Sequence, residues 1–191
     1  MEKIYILDTN VLIQAPYAVE CFEENEVVLP MTVLEELDNL KKEEGEKGAN
    51  VRRVIRILDA YREKGNLLEG VYTGHGGILR VEKNYLNVEL PEDLPDHKSD
   101  NRILKVCIGL SKESPKQVIL VTKDILLRIK AQILGIQAED FTTEQVAGHE
   151  EQYLGRKEVF VPEVLFKDFK KKGVPVESVY CCDRDRKSTR L

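Results

Sequence analysis

The sequence predicts an α/β protein, a three-layer α/β/α sandwich around a central parallel sheet with a short basic C-terminal extension. Its apolar runs are short and nearly continuous, which is typical of strands buried on both faces of a sheet. Segments with helical periodicity follow these runs in alternation, as in α/β folds. With 191 residues, of which 42% are hydrophobic, the chain is sized for one cored domain.

The predicted elements follow one another in strand-then-helix order. Glycine often ends a helix in the left-handed conformation, so Gly135 is predicted to close the last helix. A turn is predicted at residues 73–77, between strands in 67–72 and 78–81, and a polar loop at 91–100. The main strands are predicted at Ile4–Leu7, Val27–Leu29, Val118–Val121 and, more weakly, Ile136–Ala138, and the helices at Val33–Leu40, Val51–Arg62, Ile103–Leu110 and Ile125–Leu134.

Composition narrows the class of protein and its location. The apolar runs are far shorter than the roughly 20 residues that a membrane-spanning helix needs. The first ten residues, MEKIYILDTN, lack the basic and apolar stretches of a signal peptide. The four cysteines have neither the density of a disulfide scaffold nor a C-x-x-C metal spacing. The sequence therefore predicts a reduced, cytoplasmic protein that does not enter membranes.

Charge and pattern both change near residue 150. Residues 156–191 carry 10 basic and 6 acidic side chains, although the whole chain has a net charge of -5. The strand-and-helix alternation is not visible there. We therefore expect a domain at residues 1–147, followed at 148–191 by a basic linker or the start of another unit.

Two acidic residues directly follow predicted buried strands. Asp8 follows the first strand, and Asp124 lies just beyond the third, where a helix begins. Parallel sheets place their ligands at the carboxyl ends of strands. The alternative for both residues is a helix N-cap, because Asp side chains accept backbone hydrogen bonds there. Neighbouring Thr9, Asn10 and Thr122 can share the capping role.

Glu35 and Glu36 are adjacent, so only one of them can face a site from the helix that they share. Thr32 and Glu35 have the spacing of a capping box, in which each side chain satisfies a backbone donor of the other residue. At about 100° per residue, Glu36 lies at the edge of the apolar face and Glu35 roughly opposite it. Glu36 is therefore the candidate, and Glu35 is predicted to have a structural role.

Asp100 opens the next helix on the same side as its apolar residues Leu104 and Cys107. Ser99 can cap this helix. The alternative role for Asp100 is stabilisation of the helix through its dipole. A carboxylate directed toward a core needs a partner there.

Together, Asp8, Glu36, Asp100 and Asp124 are predicted to meet in one cleft. Two unit charges about 4 Å apart repel by about 4 kcal/mol at an effective dielectric near 20, so either some of these acids are protonated or a cation is present. Oxygen ligands without His or Cys favour hard ions, which points to Mg²⁺ or Mn²⁺. Such ions support phosphodiester chemistry.

Four ordered segments resemble the PIN domain, an α/β metal-dependent ribonuclease fold. They are ILDTNVLI at the first strand end, VLEELDNLK, KSDNRILKVCI and LVTKDILLRIKA. The likeness covers roughly residues 1–147 and is to the PIN region that precedes the ATPase in bacterial PhoH-like (PhoH2 type) proteins.

The resemblance implies an endoribonuclease that cleaves single-stranded RNA. Asp8, Glu36, Asp100 and Asp124 would be the catalytic and metal-binding residues, holding Mg²⁺ or Mn²⁺. A metal-activated water would attack phosphorus and leave 5′-phosphate and 3′-hydroxyl ends. The supporting polar positions would be Thr9, Asn10 and Thr122.

A PhoH-like protein continues into a P-loop ATPase, but the sequence contains no G-x-x-x-x-G-K-[ST] segment. The resemblance is therefore to an N-terminal region, and the ATPase region would be a partner absent here. Assembly into homo-oligomers is a further possibility that the resemblance raises.

Basic residues close in sequence to the acids are candidates for RNA phosphate contacts. A solvated helical face interspersed with glutamates explains most of them equally well. Lys130 allows the same two interpretations. The candidates are Lys41, Lys42, Arg52, Arg53 and Arg128.

Three other functions compete with the nuclease. A phospho-acceptor signalling domain also places carboxylates at strand ends, but it groups acids at its first strand, where Thr9 and Asn10 stand here. A haloacid-dehalogenase-like phosphatase needs a second Asp at the position of Asn10. The strongest alternative is a catalytically weak PIN module that binds RNA or mediates oligomerisation for a full-length PhoH-like ATPase.

Overall fold

The computed structural model describes residues 2–74, 76–142, 159–160, 180–183 and 186–190. Contacts between Cα atoms divide the chain into two compact units, Met1–Gly148 and His149–Leu191. In the described part of the chain, no helix is long and apolar enough to cross a membrane.

The first unit is a six-stranded sheet flanked by helices, which confirms the predicted α/β class. Its strands lie in the order β3-β4-β2-β1-β5-β6. All neighbours are parallel except β3 and β4, whose connection includes the predicted turn, where the Thr73 amide donates to the Gly77 carbonyl at 2.8 Å. The strands are β1 (Lys3–Leu7), β2 (Glu26–Pro30), β3 (Val71–Tyr72), β4 (Ile78–Glu82), β5 (Gln117–Val121) and β6 (Gln137–Glu139).

Five α-helices connect these strands, and they include all four of the predicted main helices. A short 3-10 helix at Ala18–Glu20 was not predicted. The helices are α1 (Thr9–Gln14), α2 (Met31–Leu40), α3 (Gly45–Lys64), α4 (Ser99–Glu113) and α5 (Ile125–Ile133).

The sheet core explains why the central strands carry uninterrupted apolar runs. Ile6, Leu7, Val28 and Leu120 are completely buried in β1, β2 and β5. Strands with helices over both faces leave neither side for polar residues. The apolar runs therefore form the central strands, and their burial places the middle of the sheet in the core of the domain.

Helix α5 buries fewer of its apolar side chains than its apolar pattern predicts. Leu127 and Ala131 are buried, as is the following Ile136. Gly135 closes the helix at φ 72°, as predicted, and the Ile136 amide donates to the Ala131 carbonyl at 2.9 Å. Most of the apolar residues from which the helix was predicted are exposed on its outer face: Ile125, Leu126, Ile129 and Ile133.

The order of the strands creates a position for a binding site at the carboxyl ends of β1 and β5. The connections from β1 to β2 and β4 run toward one side of the sheet, and those to β5 and β6 run toward the other. The reversal falls between adjacent β1 and β5, whose carboxyl ends lie together, since the Asp8 amide donates to the Val121 carbonyl at 3.0 Å. Ligands of open parallel sheets bind at such a reversal.

In the second unit the described residues form a separate three-stranded antiparallel sheet in the order β7-β8-β9. Its strands are β7 (Val159–Phe160), β8 (Tyr180–Asp183) and β9 (Arg186–Arg190). The rest of the segment expected to be a linker or the start of another unit lies outside the described residues.

Candidate acidic active site

Asp8 lies at the carboxyl end of β1 and is only 6% exposed. Its Oδ1 accepts from the Thr9 amide at 2.7 Å, so it caps α1 as the alternative interpretation required. Its Oδ2 accepts from the Thr122 hydroxyl at 2.6 Å. Asp8 therefore links the ends of β1 and β5 in addition to capping a helix.

Burial and neighbouring carboxylates both raise the pKa of Asp8. Burial is the main cause that raises the pKa of Asp8 to about 6, and the charges of Glu36 and Asp100 raise it further. The hydrogen bonds from Thr122 and Thr9 oppose this shift. Three acids from distant parts of the sequence are thus close enough to interact electrostatically.

Glu36 is partly buried on α2 and accepts a hydrogen bond from the Thr9 hydroxyl. This contact joins the glutamate to the residue that follows Asp8. Glu35 is exposed, and its Oε2 accepts from Arg102 Nη1 of α4 at 3.3 Å. Of the two adjacent glutamates, Glu36 is the one that lies beside Asp8.

The predicted capping box of α2 is wrong. The N-cap is Pro30, which has extended backbone angles and makes no side-chain cap hydrogen bond. The helix therefore begins at Met31, and Thr32 lies within its first turn instead of preceding it. The Thr32 amide donates to Asn84 Oδ1 at 3.2 Å, which satisfies a donor that the capping box would have used otherwise.

Asp100 is the second residue of α4 and is half-buried. Its Oδ2 accepts from Lys130 Nζ of α5 at 2.9 Å. The predicted Ser99 cap is not formed, because α4 begins at Ser99 and its N-cap residue, Lys98, makes no side-chain cap bond. The partner that an inward carboxylate requires is therefore a lysine from another helix.

Asp124 takes the capping role that was its alternative. Its Oδ1 accepts from the amides of Leu126 at 2.7 Å and Leu127 at 3.4 Å. Its own amide donates to the Thr122 hydroxyl at 3.0 Å. Asp124 is thus connected to Asp8 through Thr122, while one of its two carboxylate oxygens is engaged at the start of α5.

The supporting polar residues join the start of α1 to the segment that follows β5. Thr122 is completely buried and accepts from Asn10 Nδ2 at 3.3 Å. Asn10 Oδ1 accepts from the Lys123 amide at 3.1 Å. These bonds hold Asp8 and Asp124 in one polar network at the sheet edge.

The donor set fits a hard divalent cation in its chemistry, although the carboxylates are not gathered for one. Among the described residues, no three acidic, histidine or cysteine side chains are placed to hold a metal ion together. Glu36 instead accepts from the neutral Thr9 hydroxyl, and Asp100 accepts from the positively charged Lys130 ammonium. Carboxylate oxygens such as those of Asp8, Glu36 and Asp100 are nevertheless the ligands that Mg²⁺ and Mn²⁺ prefer.

Three of the five basic candidates form ion pairs or hydrogen bonds with other residues of the chain. Lys41, the residue that follows α2, pairs with Asp38 of that helix. Arg52 Nη1 donates to the Lys41 and Glu43 carbonyls at 3.0 and 3.1 Å, which holds the loop before α3. Arg128 Nη2 lies 3.9 Å from an oxygen of Asp140.

Lys42 and Arg53 differ from these three. Both side chains are exposed, and within the described part of the chain neither side chain has an ion-pair or hydrogen-bond partner. They are the two candidates available to bind phosphate without first breaking a contact.

Comparisons with known proteins agree on one family. A family model described as PIN domain matches residues 5–142. Protein PhoH2 of Bacillus subtilis (strain 168) is 46% identical over 175 residues, which are 88% of this chain and 40% of that protein. Protein PhoH2 of Mycolicibacterium smegmatis is 40% identical over 147 residues, 75% of this chain and 33% of that protein. The chain thus spans less than half of either relative.

Among solved structures, a domain of a functionally unknown protein from Methanocaldococcus jannaschii aligns with 73% of this chain and 91% of that one. The TM-score is 0.48 and the sequence identity is 19%.

We expect Asp8→Asn to stabilise the metal-free protein by about 1 to 2 kcal/mol at pH 7.5, since one pKa unit corresponds to about 1.4 kcal/mol. The folded-state pKa of about 6 exceeds the ordinary value of 3.8. The penalty for ionised Asp8 is therefore complete above about pH 6 and disappears as the pH falls toward 4. Urea unfolding with a chelator, at pH 7.5 and pH 5, measures the gain and its decrease.

The control is Asp93→Asn, which removes an exposed carboxylate. It should leave stability nearly unchanged at both pH values. An Asp8→Asn protein no more stable than wild type at pH 7.5 would show that Asp8 carries no such penalty.

Proposed function

The chain belongs to the PIN domain family, and on this premise we propose that it is a divalent-metal-dependent endoribonuclease that cleaves single-stranded RNA. PIN domains are typically metal-dependent nucleases. The proposal adds the substrate, the cleavage products and the residues responsible in this chain.

One observation supports this proposal most strongly: the charges of Glu36 and Asp100 raise the pKa of buried Asp8, although the three residues are distant in sequence. A buried carboxylate at a strand end, with two further acids acting on it, costs stability in the absence of a ligand. Functional sites are where such arrangements concentrate. The position at the reversal of strand order points the same way.

Each residue of the acidic site has a proposed role. Asp8, Glu36 and Asp100 would hold Mg²⁺ or Mn²⁺, with Asp124 contributing the carboxylate oxygen that does not cap α5. Thr122 and Thr9 orient the carboxylates of Asp8 and Glu36 through the hydrogen bonds described above. These tasks need no residue to form a covalent bond to the substrate.

The bound cation would neutralise charge that develops on the phosphate and activate water. Hydrolysis in which water attacks phosphorus and the 3′ oxygen departs leaves a 5′-phosphate and a 3′-hydroxyl. Lys42 and Arg53 are the exposed cations proposed to contact the RNA backbone, where neutralised phosphates supply much of the affinity. Lys41, Arg52 and Arg128 would join them only by leaving their present partners.

We further propose that residues 1–147 form the nuclease domain and that 148–191 lead toward an ATPase region. The PhoH2 relatives are more than twice as long as the segments that match here. The ATPase region and a second copy of the chain are the proposed protein partners.

The direct test is incubation of the purified protein with 5′-labelled single-stranded RNA, with Mn²⁺ or with a chelator. We expect internal cuts only with Mn²⁺, because the proposed site requires a cation to act on phosphate. End analysis should find 5′-phosphate and 3′-hydroxyl groups. RNA binding without cuts under any divalent-ion condition would instead favour a catalytically weak binding module.

The adjacent glutamates offer a matched pair of variants. Glu36→Gln should lower the cleavage rate by about 100-fold or more, the scale on which one transition-state-stabilising group acts. Glu35→Gln should change it less than about twofold, because Glu35 only forms an exposed ion pair with Arg102. Initial rates at saturating Mn²⁺, with both variants folded by circular dichroism, make the comparison. An equal loss in both variants would contradict the assignment of Glu36.

A further inference from the structure

Lys130 reaches the acidic site from a helix that supplies none of the three interacting carboxylates. Its Nζ lies 2.9 Å from Asp100 Oδ2, and the two side chains are 27% and 36% exposed. The pair joins α5 to α4 across 30 residues of sequence. By contrast, Lys41 and Asp38 are three residues apart in sequence, and their ion pair is largely solvated.

The other two carboxylates have neutral partners. Asp8 accepts from a backbone amide and from the Thr122 hydroxyl, and Glu36 accepts from the Thr9 hydroxyl. In the described part of the chain, Lys130 is the one cation in contact with any of the three. The chain therefore supplies a positive charge of its own to one of the proposed metal ligands.

Resting on the function proposed above, we propose that Lys130 is an internal counter-ion that competes with the divalent cation for Asp100. In the metal-free protein it neutralises this carboxylate and keeps it apart from the other two. Uptake of a cation requires the ammonium group to leave Asp100 Oδ2. Lys130 thereby lowers the metal affinity of the site and stabilises its metal-free form.

The chemistry of the pair suits such an exchange. A partly exposed single ion pair is weak, so it can be broken at little cost. A lysine ammonium is a point charge on a flexible stem, unlike the planar fork with which arginine grips a carboxylate. A dication that binds three carboxylates gains more Coulomb energy than a single ammonium on one of them.

A purely structural role for Lys130 makes a different prediction. If the pair only attaches α5 to α4, its loss would lower stability and leave metal affinity unchanged or reduced. If Lys130 competes with the cation, its loss must tighten metal binding.

The test is Mn²⁺ titration of the metal-free full chain, followed by electron paramagnetic resonance of the free ion, without RNA. Lys130→Met should lower the Kd for Mn²⁺ about three- to tenfold, because Asp100 is released and a repelling charge is removed. Lys116→Met is the matched control. Lys116 is a similarly exposed cation that pairs with Glu2 and Glu26 and precedes β5, at the opposite edge of the sheet. Its loss should leave the Kd within about twofold of wild type.

A double-mutant cycle shows whether the effect passes through Asp100. In an Asp100→Asn background, Lys130→Met should tighten Mn²⁺ binding much less than it does in the wild type. Wild-type affinity in Lys130→Met, or equal tightening by Lys116→Met, would overturn this inference and leave the proposed function standing. Absence of Mn²⁺ binding in the wild type and both single variants would overturn the metal site and this inference with it.

Discussion

The confinement of three carboxylates at one edge of the sheet is the constraint on which the rest of the site depends. Asp8 is buried where Glu36 and Asp100 act on its charge, and its pKa rises to about 6. Hydroxyl groups and one lysine offset this cost in the metal-free chain. The arrangement stabilises the fold less than an apolar packing would, which is typical of residues kept for chemistry.

The architecture brings these groups together by simple means. Adjacent β1 and β5 end side by side, so Asp8 and Thr122 meet although 114 residues separate them. Helix α2 begins directly after β2 and supplies Glu36, whereas α4 begins after the loop that follows β4 and supplies Asp100. Burial of the central strands sets where those strands end, and the strand ends in turn set the positions of Asp8 and Thr122.

Much of this could be predicted from the sequence because the signals are local. Continuous apolar runs located the central strands, and helix geometry separated Glu36 from Glu35. The capping box failed because Pro30 is the N-cap of α2, so the helix begins two residues earlier than the spacing of Thr32 and Glu35 suggested. Exposure of Ile129 on α5 and pairing of Lys130 with Asp100 depend on tertiary packing, which no local pattern encodes.

Asp8, Glu36 and Asp100 are proposed to form a single binding site for a divalent cation. Anomalous diffraction at the manganese edge, from crystals grown with Mn²⁺, tests this proposal most directly. We predict a manganese peak within coordination distance of oxygens from all three carboxylates, with the Lys130 ammonium withdrawn from Asp100. Crystals that contain Mn²⁺ only elsewhere, with the three carboxylates placed as in the metal-free chain, would contradict the account.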